Sequence, residues 1–178
     1  MHNPILESWY LRELAAAMNL ADQSDLLELA ILPDRSQRAL MARYTCNGLV
    51  RDGDGQVSLA DEFVAGIRIP SDYLQRANTF EILAWLAPLE IWHPNILPPY
   101  LCIGLLSPGM SLVDILYQIF EIITYRKVSP GDNLNKDAAA WARTPDAQRM
   151  FPIDTRPLKR PLLQTPSAQA MHEPEAQA

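Results

Sequence analysis

Between Pro88 and Pro108 the chain places five prolines in 21 residues, set among Leu89, Ile91, Trp92, Ile96, Leu97, Tyr100 and Leu101. Proline has no amide hydrogen to give to a ladder, so this segment cannot be a central strand. It is also too apolar for a solvated linker. What remains is a rigid, partly buried loop, the kind of segment that holds functional groups in fixed positions. Cys102 lies near its end.

Regular periodicity flanks the loop on both sides. Asn3-Pro4 reads as the N-cap and first residue of a helix carrying Ile5, Leu6, Trp9, Tyr10, Leu14 and Ala17 at helical spacing. Ser24-Asp25-Leu26-Leu27-Glu28-Leu29 predicts a second short helix. From Arg38 the period changes to two. Leu40, Ala42, Tyr44, Cys46 and Val50 alternate with Arg43, Thr45 and Asn47, the pattern of a half-buried strand. Asp52-Gly53-Asp54-Gly55 marks a turn. Phe63, Ala65, Ile67 and Ile69 predict a strand ending at Pro70, and Phe80, Ile82, Ala84 and Leu86 predict another.

Beyond the loop, Ser111-Leu112-Val113-Asp114 resembles a capping box and opens an apolar helix through Ile115, Leu116, Ile119, Phe120 and Ile123. Residues Lys136 to Arg143 predict one more short helix. From Thr144 onward the chain has six prolines in 35 residues and little periodicity. An extended or disordered tail is expected there, with one docked segment near Met150-Phe151. The expected class is therefore α+β: an N-terminal helix, an antiparallel four-stranded meander, the rigid loop, then helices packed on the sheet. Residues 1–143 form one domain and 144–178 the Pro-rich tail.

Composition removes several function classes. The chain has 178 residues, a formal charge of −6 and two cysteines, Cys46 and Cys102. Two thiols are too few for a disulfide framework or an all-cysteine zinc site. The acidic balance argues against nucleic acid as the main partner. No apolar run approaches the roughly 18 residues of a membrane span, and the first residues lack the pattern of a secretory signal. A cytoplasmic protein with reduced thiols is expected. Seven glycines include no Gly-x-x-x-x-Gly-Lys or Gly-x-Gly-x-x-Gly spacing, so no phosphate cradle is recognisable. With His2 and His172 near the ends, His93 is the only imidazole in the body of the chain. No metal or cofactor is called for.

The order of these features carries a resemblance. A helix, a strand meander, His93-Pro94-Asn95-Ile96, Leu101-Cys102, Ser107-Pro108 and a long apolar helix together resemble the E2 ubiquitin-conjugating enzymes. In that family a His-Pro-Asn motif precedes the active-site cysteine. Phe63 to Ile69 with Pro70-Ser71-Asp72-Tyr73 resembles the family's third strand and its Pro-x-x-Tyr turn. Asp132-Asn133-Leu134-Asn135 followed by Ala138-Ala139 resembles the segment that ends near its active site. The Pro98-Pro99-Tyr100 insert and the Ala139-Ala140-Trp141-Ala142-Arg143 helix resemble bacterial E2-like proteins, which accompany an E1-like enzyme, a ubiquitin-like protein and a JAB-type protease in operons associated with anti-phage defence.

The resemblance implies a UBC-like fold and a set of roles. Cys102 accepts a ubiquitin-like C-terminus as a thioester from an E1-like activating enzyme and passes it to an amine, most simply a lysine, on a target protein. It acts as the thiolate. Asn95 donates its side-chain amide to the oxyanion or braces the loop. Asp132 orients the incoming amine. His93, Pro94 and Tyr100 shape the active site, and an apolar wall of Tyr100, Leu101 and Ile103 favours the neutral amine. The first 30 residues carry Glu7, Glu13, Asp22, Asp25 and Glu28 against Arg12. The family usually offers its E1 a basic helix, so this acidic one implies a dedicated E1.

Plainer readings stand beside these. Cys46, in register with Leu40, Ala42 and Tyr44, reads as a core thiol, and Asp132 as an ordinary helix cap. Two other functions remain open: a non-catalytic E2-like binding module, and a cysteine hydrolase using Cys102 with His93 as base.

Overall fold

Asn3 caps α1 (Pro4–Asp22), its side-chain oxygen accepting from the amides of Ile5 and Leu6 at 3.2 Å. Leu6, Tyr10, Ala17 and Leu20 form the buried stripe of this helix. The structure is a computed structural model that describes residues 3–33, 38–128 and 133–159. After α1 come β1 (Leu27–Leu32), β2 (Ala39–Tyr44), β3 (Gly48–Arg51), β4 (Val57–Ala60), β5 (Phe63–Arg68), α2 (Thr79–Ile82) and β6 (Leu83–Ala87). A four-stranded antiparallel sheet runs in the order β1-β2-β5-β6, and β3-β4 forms a separate ribbon. The α+β class, the N-terminal helix and the four-stranded antiparallel sheet are as expected.

Three details differ from the periodicity. The segment read as a helix over Ser24–Leu29 becomes β1, paired along its length with β2 from Leu27 opposite Tyr44 to Leu32 opposite Ala39. Leu and Glu favour helix only weakly, and a full ladder with Leu26 and Leu27 buried outweighs that preference. The single strand expected through Leu40 to Val50 is broken between Tyr44 and Gly48. Gly48 is required at the restart, because a Cβ there would lie 2.6 Å from the Phe63 ring. The strand expected at Phe80–Leu86 has the opposite phase. Asn78 accepts from the Phe80 amide and starts α2, so Leu83 and Trp85 face the core while Phe80 and Leu86 are exposed. Trp85 packs on Phe63, with ring centroids 6.1 Å apart.

The loop carries a short hairpin, β7 (Ile96–Leu97) and β8 (Tyr100–Leu101), and leads to α3 (Leu112–Ile123), α4 (Lys136–Ala142) and α5 (Pro145–Gln148). Ser111 accepts from the Asp114 amide at 3.0 Å, which starts α3 as its capping pattern predicts. Leu112, Ile115, Leu116, Ile119, Phe120, Ile122 and Ile123 are all buried, so the helix is largely enclosed by α1 and the sheet. Each such side chain contributes about 1.5–3 kcal/mol on burial. The Tyr44 hydroxyl, donating to the Leu116 carbonyl at 3.0 Å, ties helix to sheet. Tyr73, at the end of the Pro-x-x-Tyr turn, donates to the Met110 carbonyl at 2.8 Å just before α3. Among the described residues no helix is long and apolar enough to cross a membrane.

Ordered packing continues past residue 143. Phe151 stacks on Tyr125 with centroids 4.5 Å apart, and Leu158 is buried in the main core. Asp154 is also buried. It accepts from the Asn47 amide at 2.8 Å and from the Arg156 amide and guanidinium at 2.9 and 2.6 Å. A proline-rich stretch without periodicity can dock through individual side chains, which periodicity does not register. The remainder of the expected tail, from residue 160, lies outside the described residues.

Burial would raise the Asp154 carboxyl, but the hydrogen bonds from Arg156 and the Asn47 amide hold it down at about 2, below the ordinary 3.8. Its contribution to stability is therefore complete above about pH 4 and is lost as the pH falls through about 2. Asp154→Ala is expected to cost about 1–3 kcal/mol at pH 7. Urea unfolding of both proteins checks this, and the gap between them should narrow when the pH is lowered from 7 to 3.

Candidate functional site

The proline-rich loop is held largely through the acceptor that proline retains. The Pro88 carbonyl accepts from the Trp85 indole at 2.7 Å, that of Pro94 from the Asn135 amide at 3.0 Å, and that of Pro99 from the Trp85 amide at 2.8 Å. Proline lacks only the donor, so a segment unfit for a ladder can still be tied on every side. The Trp92 amide donates to Leu49 and the Arg51 amide to Glu90, each at 2.8 Å, pinning the loop to β3.

Within the loop, hairpin register brings the motif and the cysteine together. Ile96 pairs with Leu101 and Leu97 with Tyr100 across Pro98-Pro99. The next position outward opposes Asn95 and Cys102, and the Cys102 amide donates to the Asn95 carbonyl at 2.9 Å. The Asn95 amide in turn donates to Nδ1 of His93 at 3.0 Å. His93 and Asn95 are both buried. The main chain of Asn95 thus ties Cys102 to His93.

His93 sits in an aromatic cluster that sequence reading did not identify. Its ring meets Tyr125 edge-on at 4.4 Å, Tyr125 stacks on Phe151, and Trp141 contacts Trp92, Tyr125 and Phe151. The Tyr125 hydroxyl donates to the Trp92 carbonyl, one residue before the histidine. Burial pushes the imidazole down to about 3, opposed only in part by the Lys127 main chain. The neutral ring has one lone pair, at Nδ1, and the Asn95 amide occupies it. A general base needs that lone pair free, and here it is engaged.

Cys102 is 9% exposed, between Leu101 and Ile103, which are fully buried. The expected apolar wall is therefore not formed by these three residues. Leu101 and Ile103 face the core, and only Tyr100 reaches the surface, where its ring meets Phe80 edge-on at 5.5 Å. Cys102 is thus a nearly buried residue and not part of an exposed shelf. Cys46 is fully enclosed, and burial raises its thiol to about 12, as befits a core residue. Asp132 lies outside the described residues. Asn135, three positions on, caps α4 and bonds to Pro94, so that segment ends beside the motif.

Lys127 is a further residue at the site that sequence reading missed. Its Nζ donates to the Ile103 carbonyl at 2.8 Å, one residue past the cysteine. Twenty-four positions separate the two residues, and no short-range pattern links them. Among the described residues no group of three or more His, Cys, Asp or Glu side chains could hold a metal ion.

The folded imidazole stays neutral where an unfolded one, near 6.5, would take a proton. Its contribution to stability is complete above about pH 6.5 and declines as the pH falls towards about 3. His93→Leu leaves the Asn95 amide without its acceptor and is expected to cost about 1–3 kcal/mol at pH 7.5. The variant should also lose part of the stability slope between pH 6.5 and 4. Denaturant unfolding across that range measures both effects, and NMR of the wild-type ring should find it neutral at pH 5.

No family model matches this chain, and no curated protein matches it.

Proposed function

We propose that the chain is an E2-like conjugating enzyme with a UBC-like fold, using Cys102 to carry a ubiquitin-like protein. The observation that carries this reading is the hairpin register that sets Cys102 opposite Asn95, over a buried His93. A thioester carrier needs a sulfur in a fixed place more than it needs a strong base, because exchange between thioesters is nearly balanced in energy. The Cys102 thiolate attacks the carbonyl carbon of the thioester on an E1-like enzyme. The new C–S bond forms as the old one breaks, and the E1 thiolate leaves. A lysine amine of a target protein then attacks the Cys102 thioester, releasing the thiolate and a proton.

In this reading Asn95 stabilises the oxyanion or braces the loop, and Asp132 orients the amine. Pro94 and Tyr100 shape the opening. The partners are a dedicated E1-like enzyme, a ubiquitin-like protein, a target protein and, in the same cytoplasmic pathway, a JAB-type protease. Anti-phage defence is the setting that the resemblance to bacterial E2-like proteins suggests. The occupied lone pair of His93 disfavours a cysteine hydrolase, which would need that ring as its base. Retention of Cys102 beside Asn95 disfavours a purely binding role.

The test is thioester formation. With ATP, an E1-like enzyme and its ubiquitin-like protein, a non-reducing gel should resolve an adduct that reductant removes. The adduct should persist in Cys46→Ala and vanish in Cys102→Ala. A second arm supplies the ubiquitin-like protein as a preformed small-thiol thioester, which bypasses the E1. Absence of an adduct in both arms supports the binding module, and cleavage of a finished conjugate by the chain alone supports the hydrolase.

A further inference from the structure

Lys127 meets the cysteine loop through its side chain. Its Nζ donates to the Ile103 carbonyl at 2.8 Å and to Oε1 of Gln118 on α3 at 2.9 Å. The end of α3 fixes the residue itself. The amides of Arg126 and Lys127 both donate to the Glu121 carbonyl, at 2.8 and 3.0 Å, just past the left-handed turn at Tyr125.

Cys102 is thereby held from two sides. Asn95 takes its amide on one side, and on the other an ammonium grips the carbonyl one residue later. The chain then turns at Gly104, with a φ of 88°. A Cβ at that glycine would sit 3.6 Å from the Lys127 Nζ, so the cation fills the inside of the turn. Ile103 is fully buried, and a charge-assisted bond to its carbonyl is a strong one in that setting.

We infer that Lys127 is a positioning residue for the Cys102 thiol: by clamping the Ile103 carbonyl it fixes the backbone beside the nearly buried Cys102 and so aligns the sulfur for attack on a thioester. The inference rests on the conjugating function proposed above. Its physical content is a trade between access and alignment. Releasing the clamp frees a nearly buried cysteine to small reagents while misplacing the sulfur for a reaction that tolerates little misplacement.

Two rates separate these effects. Iodoacetamide alkylation, read by mass spectrometry at each cysteine, reports access. Exchange with a preformed ubiquitin-like thioester reports alignment. In Lys127→Met, alkylation of Cys102 should rise several-fold and exchange should slow by about tenfold in kcat at little-changed KM, while Cys46 stays protected. Lys127→Arg, which can still donate to the carbonyl as a cation, should restore both rates. General loosening of the fold would instead expose Cys46 as well, and that result overturns the inference. So do Cys102 rates that match wild type in Lys127→Met, or an arginine variant that folds and rescues neither rate. A wild-type protein that alkylates normally but exchanges no thioester defeats the conjugating function; the Cys102 and Cys46 alkylation rates then decide whether Lys127 clamps the loop.

Discussion

The turn that follows α3 is the constraint on which the rest of this site depends. Tyr125 adopts a φ of 57°, a left-handed conformation that costs a bulky residue on the order of 1–3 kcal/mol. In return, four consecutive residues reach three different segments. Thr124 gives its carbonyl to the Ile153 amide, Tyr125 gives its ring to His93 and its hydroxyl to Trp92, Arg126 reaches the carbonyls of Asp154 and Arg156, and Lys127 reaches that of Ile103. A continuing helix would aim successive side chains about 100° apart around one axis and could not serve all three from neighbouring residues. The core that buries α3 is what makes this turn sustainable.

His93 shows how a polar residue becomes part of a scaffold. A buried imidazole is unfavourable unless its polar atoms find work, and here Nδ1 receives the amide of Asn95. That bond, the Asn95–Cys102 bond and the Ile96–Leu101 pairing make the hairpin a short relay from aromatic core to sulfur. Under the proposed function, chemistry at Cys102 depends on placement more than on acid–base assistance from the histidine. This matches the demands of thioester exchange, where the incoming acyl group is already activated.

Residues 145–159 are a working part of this arrangement. Phe151 completes the stack on Tyr125, and Asp154 with Arg156 closes the loop at Asn47 next to the enclosed thiol of Cys46. A short domain gains core from such a segment without another regular element. It gains it at the site itself, since the aromatic cluster that holds His93 includes Phe151 and Trp141.

Strong local signals were legible in the sequence. The caps at Asn3 and Ser111, the alternation of Phe63, Ala65 and Ile67, the helical stripe through Ile115 to Ile123, and a proline loop unable to join the sheet all follow from the chain's own stereochemistry. The identity of β1 and the phase of β6 did not follow, because Leu26–Leu29 satisfies either period and the continuous apolar run Ile82-Leu83-Ala84-Trp85-Leu86 fits a strand in either phase. At the site, the rigid loop that carries His93-Pro94-Asn95 and the core position of Cys46 were readable. The Tyr125 cage, the clamp from Lys127 and the inward turn of Leu101 and Ile103 were not. By itself the sequence determined the capped helices α1 and α3, the alternating strand from Phe63 and the stiff loop, since φ restriction, capping and periodicity act within a few residues. Only the tertiary structure decided which side chains meet at Cys102, because those contacts join segments tens of residues apart and depend on the packed core between them.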